Sequence, residues 1–356
     1  MRTLLAVVAS LLLTAVAAPA AAPAPAQLLP FDGATGWINS KPLGPADLRD
    51  KVVLVDFWEY TCINCLRTLP YLREWAKRYA ADGLVIVGVH TPEFPFSADP
   101  KNLADASKRL AVSWPVANDS NHTIWNRYRT GFYPHELLYD RSGNLIESID
   151  GEGGYPQTET KIQAALKAGN PGLQLPPLMA LLPQDSYSKP GAVCYPMTAE
   201  TFLGGQQGHI ANAHTGLANR PLLENFVDGG SHQDGGIYLQ GFWRRTSMGM
   251  ASGDGSGHLA ITYHAIQVVG VMQPESGTPG NVVVTQDGKA VAHDDAGADV
   301  KYDDKGNSYV VVDAPRAYEL IMNKKWGTHD LRLFPQHFGI GIYSFAFESC
   351  EAGSDK

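Results

Sequence analysis

The chain has 356 residues, more than one hydrophobic core usually serves, so two domains are expected. Its 44% hydrophobic and 18% charged residues are typical of globular proteins. The formal net charge of −8 argues against nucleic acid or an anionic membrane surface as a partner, because both attract basic faces.

Residues 1–26 have the pattern of a secretory signal peptide. Arg2 gives a basic start, an apolar stretch runs from Leu4 to Val16, and small residues follow it. The apolar stretch is shorter than the roughly 20 residues that cross a membrane, although an uncleaved anchor is the alternative. We therefore expect a cleaved leader and a periplasmic or secreted protein, in a compartment where disulfides persist.

Two cysteines, Cys62 and Cys65, follow an apolar run at 52–58 that is typical of a buried strand. Apolar residues then recur at helical spacing from Leu66 to Tyr79. A Cys-x-x-Cys pair at a strand-to-helix junction predicts a redox motif. The first cysteine would start the helix, where unpaired N–H groups and the helix dipole favour a thiolate. Half of a zinc site is the alternative, but this domain has no second Cys or His pair at ligand spacing.

The segments around this motif predict an α/β domain over residues 27–168. The unit of strand, cysteine-bearing helix and second strand implies parallel pairing through a right-handed crossover. Further strands are expected at 84–89, 114–117, 135–140 and 145–149, and further helices at 102–110, 122–129 and 158–168.

The stretch FWEYTCINCLRTLPYL, followed by VGVHTPEFPF, resembles the thioredoxin superfamily, and within it the DipZ family of thiol–disulfide interchange proteins. This resemblance implies a thioredoxin-like fold and a place among exported proteins related to cytochrome c maturation. Asp56, six residues before Cys62, matches a buried carboxylate of the family. Pro70 matches its helix-kink proline and Pro134 its cis-proline, which lies beside the cysteines.

The resemblance also implies roles for individual residues. Cys62 would attack a substrate disulfide to form a mixed disulfide, which the second cysteine would resolve. Asp56 would exchange a proton with that second cysteine, provided that burial raises the pKa of its carboxyl group. Pro134, if cis, would present backbone to an extended substrate. Tyr133 and Trp58 are the predicted substrate-binding residues, with Trp58 packed under the active-site loop.

Residues 169–190 are rich in proline and leucine, and we interpret them as a semi-rigid linker. Over 191–356 helical patterns give way to short apolar runs separated by Asp-Gly turns, which predicts an all-β sandwich of the jelly-roll type. The predicted strands are 236–243, 259–264, 266–272, 282–285, 309–313, 331–334 and 340–347. This half resembles the carbohydrate-binding-module-like domain that follows thioredoxin in the DipZ family, which makes glycan a possible partner.

Cys194 and Cys350 lie near the two ends of the predicted sandwich. Because the ends of such domains are often close, we expect a structural disulfide between them. Two free thiols, or a second redox relay with the Cys-x-x-Cys pair, are the alternatives. The histidines form no tight ligand cluster, so neither a metal nor a cofactor is expected. The aromatic residues Tyr238, Phe242 and Trp243 could form a sugar platform, but core packing is favoured.

The leading hypothesis is an exported thiol–disulfide oxidoreductase that acts on cysteines of other exported proteins. Family members carry a membrane-embedded electron-transfer domain ahead of the redox domain, so a separate, membrane-embedded electron donor or acceptor is expected here. A glycan- or envelope-binding protein with a vestigial redox domain is the alternative. A thiol peroxidase is disfavoured, because Thr61 and Cys62 do not have Thr-x-x-Cys spacing. The motif leaves the direction of electron flow open.

Overall fold

A computed structural model describes residues 23–182, 185, 191–213 and 223–351. Most of the predicted leader, and most of residues 183–190 in the predicted linker, lie outside the described residues. Within the described part an α/β unit is followed by a unit made mostly of strands.

The first unit is a sheet with helices on both faces, as the thioredoxin-like resemblance implies. Its strands are β1 (Gly36–Ile38), β2 (Val52–Trp58), β3 (Leu84–His90), β4 (Val116–Asn118), β5 (His135–Tyr139) and β6 (Leu145–Asp150). Its helices are α1 (Ile63–Tyr79), α2 (Pro100–Arg109), α3 (Thr123–Tyr128) and α4 (Tyr155–Gly169), with a 3-10 turn at Pro95–Ala98. The strand order is β1-β4-β3-β2-β5-β6, with β2, β3 and β4 parallel and β5 and β6 antiparallel.

Strand β2 is buried along its whole length. Such a strand is apolar throughout rather than alternating, because helices cover both faces of its sheet. Val52, Leu54 and Trp58 face the core that α1, α2 and α4 complete, whereas Val53 and Val55 face the core on the α3 side. Since side chains alternate along a strand, Asp56 projects to the α1 side between two large apolar residues.

The second unit is a β-sandwich with one large hydrophobic core. Its strands are β7 (Val193–Cys194), β8 (Thr201–Phe202), β9 (Leu223–Phe226), β10 (Ile237–Arg245), β11 (Met250–Ser252), β12 (His258–Pro274), β13 (Gly280–Gln286), β14 (Lys289–Ala290), β15 (Lys301–Tyr302), β16 (Ser308–Val312), β17 (Arg316–Pro335), β18 (Ile340–Glu348) and β19 (Cys350–Glu351). The order β15-β16-β13-β17-β12-β10-β11-β18-β8 links most of them, with β14 on β13 and β9 on β10.

Two details of the predicted strands were wrong. The runs 259–264 and 266–272 are one strand, β12, whose register shifts between Ala265 and Gln267 but whose pairing with β17 continues on both sides. Strand β17 begins at Arg316, well before the predicted start at 331. The prediction missed its first part because the middle section of the strand is mostly exposed and carries charged residues that conceal the apolar alternation.

The sandwich contacts the first unit beside the N-terminal half of α1. Arg67 of α1 donates to Gln267 of β12 at 2.6 Å and pairs with Glu348 of β18 at 3.1 Å. Phe96 packs edge-on against Tyr343, with ring centroids 4.9 Å apart. The sandwich is therefore held against the helix that carries the cysteine pair.

Cys194 and Cys350 are joined by a disulfide, and their strands β7 and β19 pair with each other. The bond connects the first and last strands of the second unit, whereas Cys62 and Cys65 are free. Cys194 and Cys350 therefore form the predicted structural disulfide, and they are neither two free thiols nor a second redox relay. No helix among the described residues is long and apolar enough to cross a membrane.

Candidate active site

The cysteine pair occupies the N-terminal end of α1. Cys62 is the N-cap residue, and its Sγ accepts the backbone N–H of Cys65 at 3.3 Å. Cys62 is partly exposed, whereas Cys65 is fully buried. Burial, with further contributions from the Cys62 sulfur and the charge of Asp56, raises the pKa of the Cys65 thiol well above its usual value. The accessible sulfur of Cys62 therefore lies at the positive end of the helix dipole. The thiol of Cys65 lies one turn further along the helix and holds its proton tightly.

Asp56 is fully buried on the same side of the sheet as the pair. Burial raises the pKa of its carboxyl group to about 7. Neither of its oxygens has a hydrogen-bond partner among the described residues. A carboxyl group with this pKa can accept and return a proton at neutral pH, which is the property that exchange with Cys65 requires.

The peptide bond between Tyr133 and Pro134 is cis. The Tyr133 hydroxyl donates to the carbonyl of Thr91 at 2.9 Å, and its ring contacts Trp125 with centroids 4.6 Å apart. Burial, together with the charges of acidic neighbours and of the two cysteines, raises the pKa of Tyr133 above its usual range. The Tyr133 ring therefore lies near the cysteine pair.

Trp58 has no exposed surface through which it could contact a substrate, contrary to the prediction. Its side chain is fully buried, and the ring packs edge-on against His90 with centroids 5.4 Å apart. A residue without exposed surface supports the site from within. The prediction that Trp58 packs beneath the active-site loop is compatible with this position, but its assignment as a substrate-binding residue is not.

The sequence reasoning missed a buried acid–base pair beneath the cysteines. Glu59 and His90 are both fully buried, and Glu59 Oε1 lies 3.7 Å from His90 Nε2. The other oxygen of Glu59 accepts the backbone N–H of Thr61 at 2.6 Å. Burial acts to raise the pKa of Glu59, but hydrogen bonding to His90 and the charge of His90 outweigh it and lower this pKa. The available signal was that both residues stand at the ends of the parallel strands β2 and β3.

A second acid, Glu93, lies on the loop after β3. Burial and the charges of Glu59 and Glu200 raise the pKa of its carboxyl group to about 8. Glu200 belongs to the sandwich, so both units contribute to the electrostatics beside the pair. Acidic side chains of both units therefore lie close to Glu93, and Glu59 and Glu93 both act on Tyr133.

A cleft of about 230 Å³ opens between the two units next to the pair. The first unit contributes Ile63, which stands between the two cysteines, and Leu66 one turn further along α1. The sandwich contributes Val269, Arg316 and Ala317. A polypeptide that reaches the cysteine pair from this side therefore contacts both units.

The described residues of the sandwich contain neither a group of side chains placed to bind a metal nor an exposed platform formed by Tyr238, Phe242 and Trp243. Among the described residues no group of three or more His, Cys, Asp or Glu side chains is placed to hold a metal ion. Trp243 is buried, and its neighbour Phe242 projects to the opposite, exposed face of β10. Tyr238 stacks on His232 with centroids 4.4 Å apart, so the three rings do not form one exposed surface.

Residues 50–145 match the family described as Thioredoxin-like, and residues 198–347 match the one described as Thioredoxin like C-terminal domain. With the cysteine pair, the buried acid and the cis-proline, this defines a thioredoxin-like protein of the thiol–disulfide oxidoreductase class. Protein DipZ of Mycobacterium bovis is 30% identical over 318 residues, which cover 88% of this chain and 42% of DipZ. The chain is similar in sequence to these DipZ proteins over most of its own length, and it spans about two fifths of theirs.

Two further similar proteins match a smaller share of the chain. The thiol-disulfide oxidoreductase ResA of Bacillus thuringiensis is 28% identical over 134 residues, which cover 38% of this chain and 72% of ResA. A solved thiol-disulfide isomerase from Corynebacterium glutamicum is 22% identical with a TM-score of 0.37, covering 40% of this chain and 96% of that one.

Proposed function

We propose that this protein is an exported thiol–disulfide oxidoreductase that acts on cysteines of other exported proteins through Cys62 and Cys65. The observation that carries the proposal is the pairing of an accessible sulfur at the start of α1 with a buried thiol whose neighbouring acid has a pKa of about 7. The catalytic unit is the segment 27–168, and 169–190 connects it to the sandwich of 191–356.

The reaction follows from the position of each group. The Cys62 thiolate attacks one sulfur of a substrate disulfide, and the other substrate sulfur leaves as a thiolate. Cys65 passes its proton to the Asp56 carboxylate and attacks Cys62, so that the second substrate thiolate is released and the Cys62–Cys65 disulfide forms. Two electrons have then moved from the pair to the substrate, and the substrate thiolates take their protons from water. The reverse sequence oxidises a substrate dithiol.

Each turnover leaves the pair in the opposite redox state, so a second thiol–disulfide partner must restore it. We assign this role to a separate protein, embedded in the membrane, which sets the direction of electron flow. The leader-like segment 1–26 supports a periplasmic or secreted location, where disulfide-bonded substrates occur.

Reduction of insulin with dithiothreitol as the terminal donor tests the proposal. The full chain should accelerate insulin precipitation, and Cys62→Ser should abolish this effect while circular dichroism remains unchanged. Cys65→Ser should instead accumulate a covalent mixed disulfide with insulin, visible on a non-reducing gel. The proposal would be contradicted if the folded wild-type protein, with both thiols free, did not exchange with insulin.

A further inference from the structure

A second buried carboxyl group, Glu136, lies beside Asp56. Asp56 of β2 and Glu136 of β5 are directly opposite each other in the antiparallel ladder. Their neighbours Leu54 and Leu138 belong to the core on the α1 side, so both carboxyl groups project there. Asp56 is 0% exposed and Glu136 is 3% exposed. Directly opposite residues have Cβ atoms about 5 Å apart, which is close enough for their carboxyl groups to meet.

This pair is expensive to bury. Both oxygens of Asp56 and Oε1 of Glu136 are buried without a hydrogen-bond partner among the described residues. An unpaired buried carboxyl group opposes folding, and a second one beside it adds to the cost. Stability therefore gives no reason for Glu136 to stand at this position, where an apolar residue would continue the core of β5.

A third carboxyl group, Glu147, continues the series toward the surface. It stands on β6 opposite Leu138, so it is a diagonal neighbour of Glu136 on the same face. Its side chain is 16% exposed, and it forms an ion pair with Lys161 of α4. Exposure therefore increases stepwise from Asp56 through Glu136 to Glu147.

We propose that Glu136 and Glu147 conduct to solvent the proton that Asp56 receives from Cys65. This inference rests on the proposed function, because it describes how the same site discharges a proton. Glu136 touches no reacting sulfur and acts through Asp56, so it is a positioning residue for the proton rather than a catalytic one.

The charges around Glu136 set the resting state of the relay. Asp56 faces Glu136 from β2, and Glu147 faces it from β6. Lys161 of α4 pairs with Glu147, and Cys65 of α1 lies on the far side of Asp56. Burial, and then the charges of Asp56 and Glu147, raise the pKa of Glu136 well above its usual value. In the proposed resting state the proton of the Asp56–Glu136 pair therefore lies on Glu136, which leaves Asp56 as the base.

Each oxidation of the cysteine pair sends one proton through the relay to solvent. Asp56 takes the proton of Cys65 as that sulfur attacks Cys62. Glu136 then releases its own proton through Glu147 to water, and the proton on Asp56 moves to Glu136. The pair returns to its resting state with one proton delivered to solvent. When the cysteine disulfide is reduced, the same steps run inward.

Glu136→Gln tests the relay, because the amide keeps the shape of the side chain but cannot exchange a carboxyl proton. The measurement is single-turnover resolution of a preformed mixed disulfide between Cys62 and a peptide thiol, as a function of pH. We expect resolution to slow by at least about tenfold and its pH dependence to change. Alkylation of Cys62 by iodoacetamide should be unaffected, because that sulfur reacts without the relay.

Three further variants complete the test of the relay. Glu136→Asp should recover part of the rate, since it restores a titratable group. Glu147→Gln, near the surface, should slow resolution less but in the same direction, and it covers the case in which Glu136→Gln fails to fold. Glu74→Gln is the matched control, because it removes a carboxylate from the exposed side of α1.

Two results would overturn the relay. The first is a folded Glu136→Gln protein that resolves the mixed disulfide at the wild-type rate with the wild-type pH profile. The second, where that variant does not fold, is wild-type behaviour of Glu147→Gln. In both cases, reduction of insulin by the wild-type protein would leave the proposed function standing. A wild-type protein without any exchange would remove the function and the relay together.

Discussion

At Asp56 the chain places a carboxyl group between Leu54 and Trp58, on a strand face that is otherwise apolar. The same burial that shifts its pKa to about 7 makes the folded protein bind this proton more tightly than the unfolded chain does. Burial of Asp56 therefore sets both the pKa on which its proposed proton exchange depends and the effect of this residue on stability.

The sign of this linkage gives a prediction for Asp56→Asn. Between the ordinary pKa of 3.8 and the folded value of about 7 the folded state holds the extra proton, so stability falls as pH rises through this range. Above pH 7 the buried charge costs on the order of 4 kcal/mol. The variant should match the wild type near pH 4 and exceed it in free energy of unfolding at pH 8, as measured by urea denaturation at both pH values.

Asp304→Asn is the control for this prediction, because Asp304 is exposed in a turn of the sandwich. It should follow the wild-type curve at every pH. An Asp56→Asn protein whose stability relative to the wild type does not change between pH 4 and pH 8 would contradict the buried-charge argument.

Single residues were predictable where a motif fixes their position relative to the cysteines. The sequence pointed to Asp56, Pro134 and Tyr133 in this way. In the structure Asp56 and Tyr133 lie close enough to the cysteines for their charges to interact, and the peptide bond before Pro134 is cis. Glu136 escaped notice because its position depends on the register between β2 and β5, which no local pattern specifies. Trp58 was misassigned for a related reason, since a position next to the motif does not reveal how deeply a side chain is buried.

Among the elements, helix α1 joins the two units as well as carrying the cysteines. Arg67, two residues after Cys65, contacts Gln267 and Glu348 of the sandwich and also Glu152 of its own unit at 2.9 Å. The side chains of these ion pairs are only 14% to 24% exposed, so their charges are poorly hydrated.

Arg67→Met should therefore destabilise the protein by about 2 kcal/mol, because it leaves two partly buried carboxylates without their cation. Thermal unfolding followed by calorimetry would show the loss. Lys77→Met removes a cation from an exposed position of the same helix and should be nearly neutral. An equal effect of the two changes would mean that the contacts of Arg67 contribute nothing specific.

The elements of the first unit were predicted well because helical and strand periodicities there are clean and the family resemblance fixes their order. Strand β1 was missed, since three residues are too short for a periodicity. In the sandwich the long strands β12 and β17 were split or shortened, because pairing to a neighbouring strand carries them through exposed and irregular stretches that lack an apolar pattern.

On the scale of the whole molecule, the sandwich forms one wall of the cleft beside the cysteine pair. A protein substrate that enters this cleft must fit between the two units, whereas a small disulfide can reach Cys62 without filling it. We therefore expect the second unit to contribute to the choice of substrate, although it carries neither Cys62 nor Cys65.

Ala317→Trp, which fills the cleft from the sandwich side, should separate these two kinds of substrate. We expect reduction of insulin to fall by about tenfold or more, since a lost fit costs roughly 1–3 kcal/mol, while reduction of a small aromatic disulfide stays unchanged. Ala290→Trp makes the same change on the exposed strand β14 and should alter neither rate. Equal insulin rates for the two variants would show that substrates do not use the cleft.

The Cys194–Cys350 bond joins residues separated by 156 positions in the chain. In the chain-entropy model, closing so long a loop stabilises the folded protein by about 5 kcal/mol. The bond can form only after Cys350 has been synthesised, by which time the earlier unit, with its partly exposed Cys62, can already have folded. An oxidised Cys62–Cys65 disulfide can exchange with the Cys194 thiolate until Cys350 is present. The pairing of β7 with β19 brings Cys194 and Cys350 together and so favours the native bond.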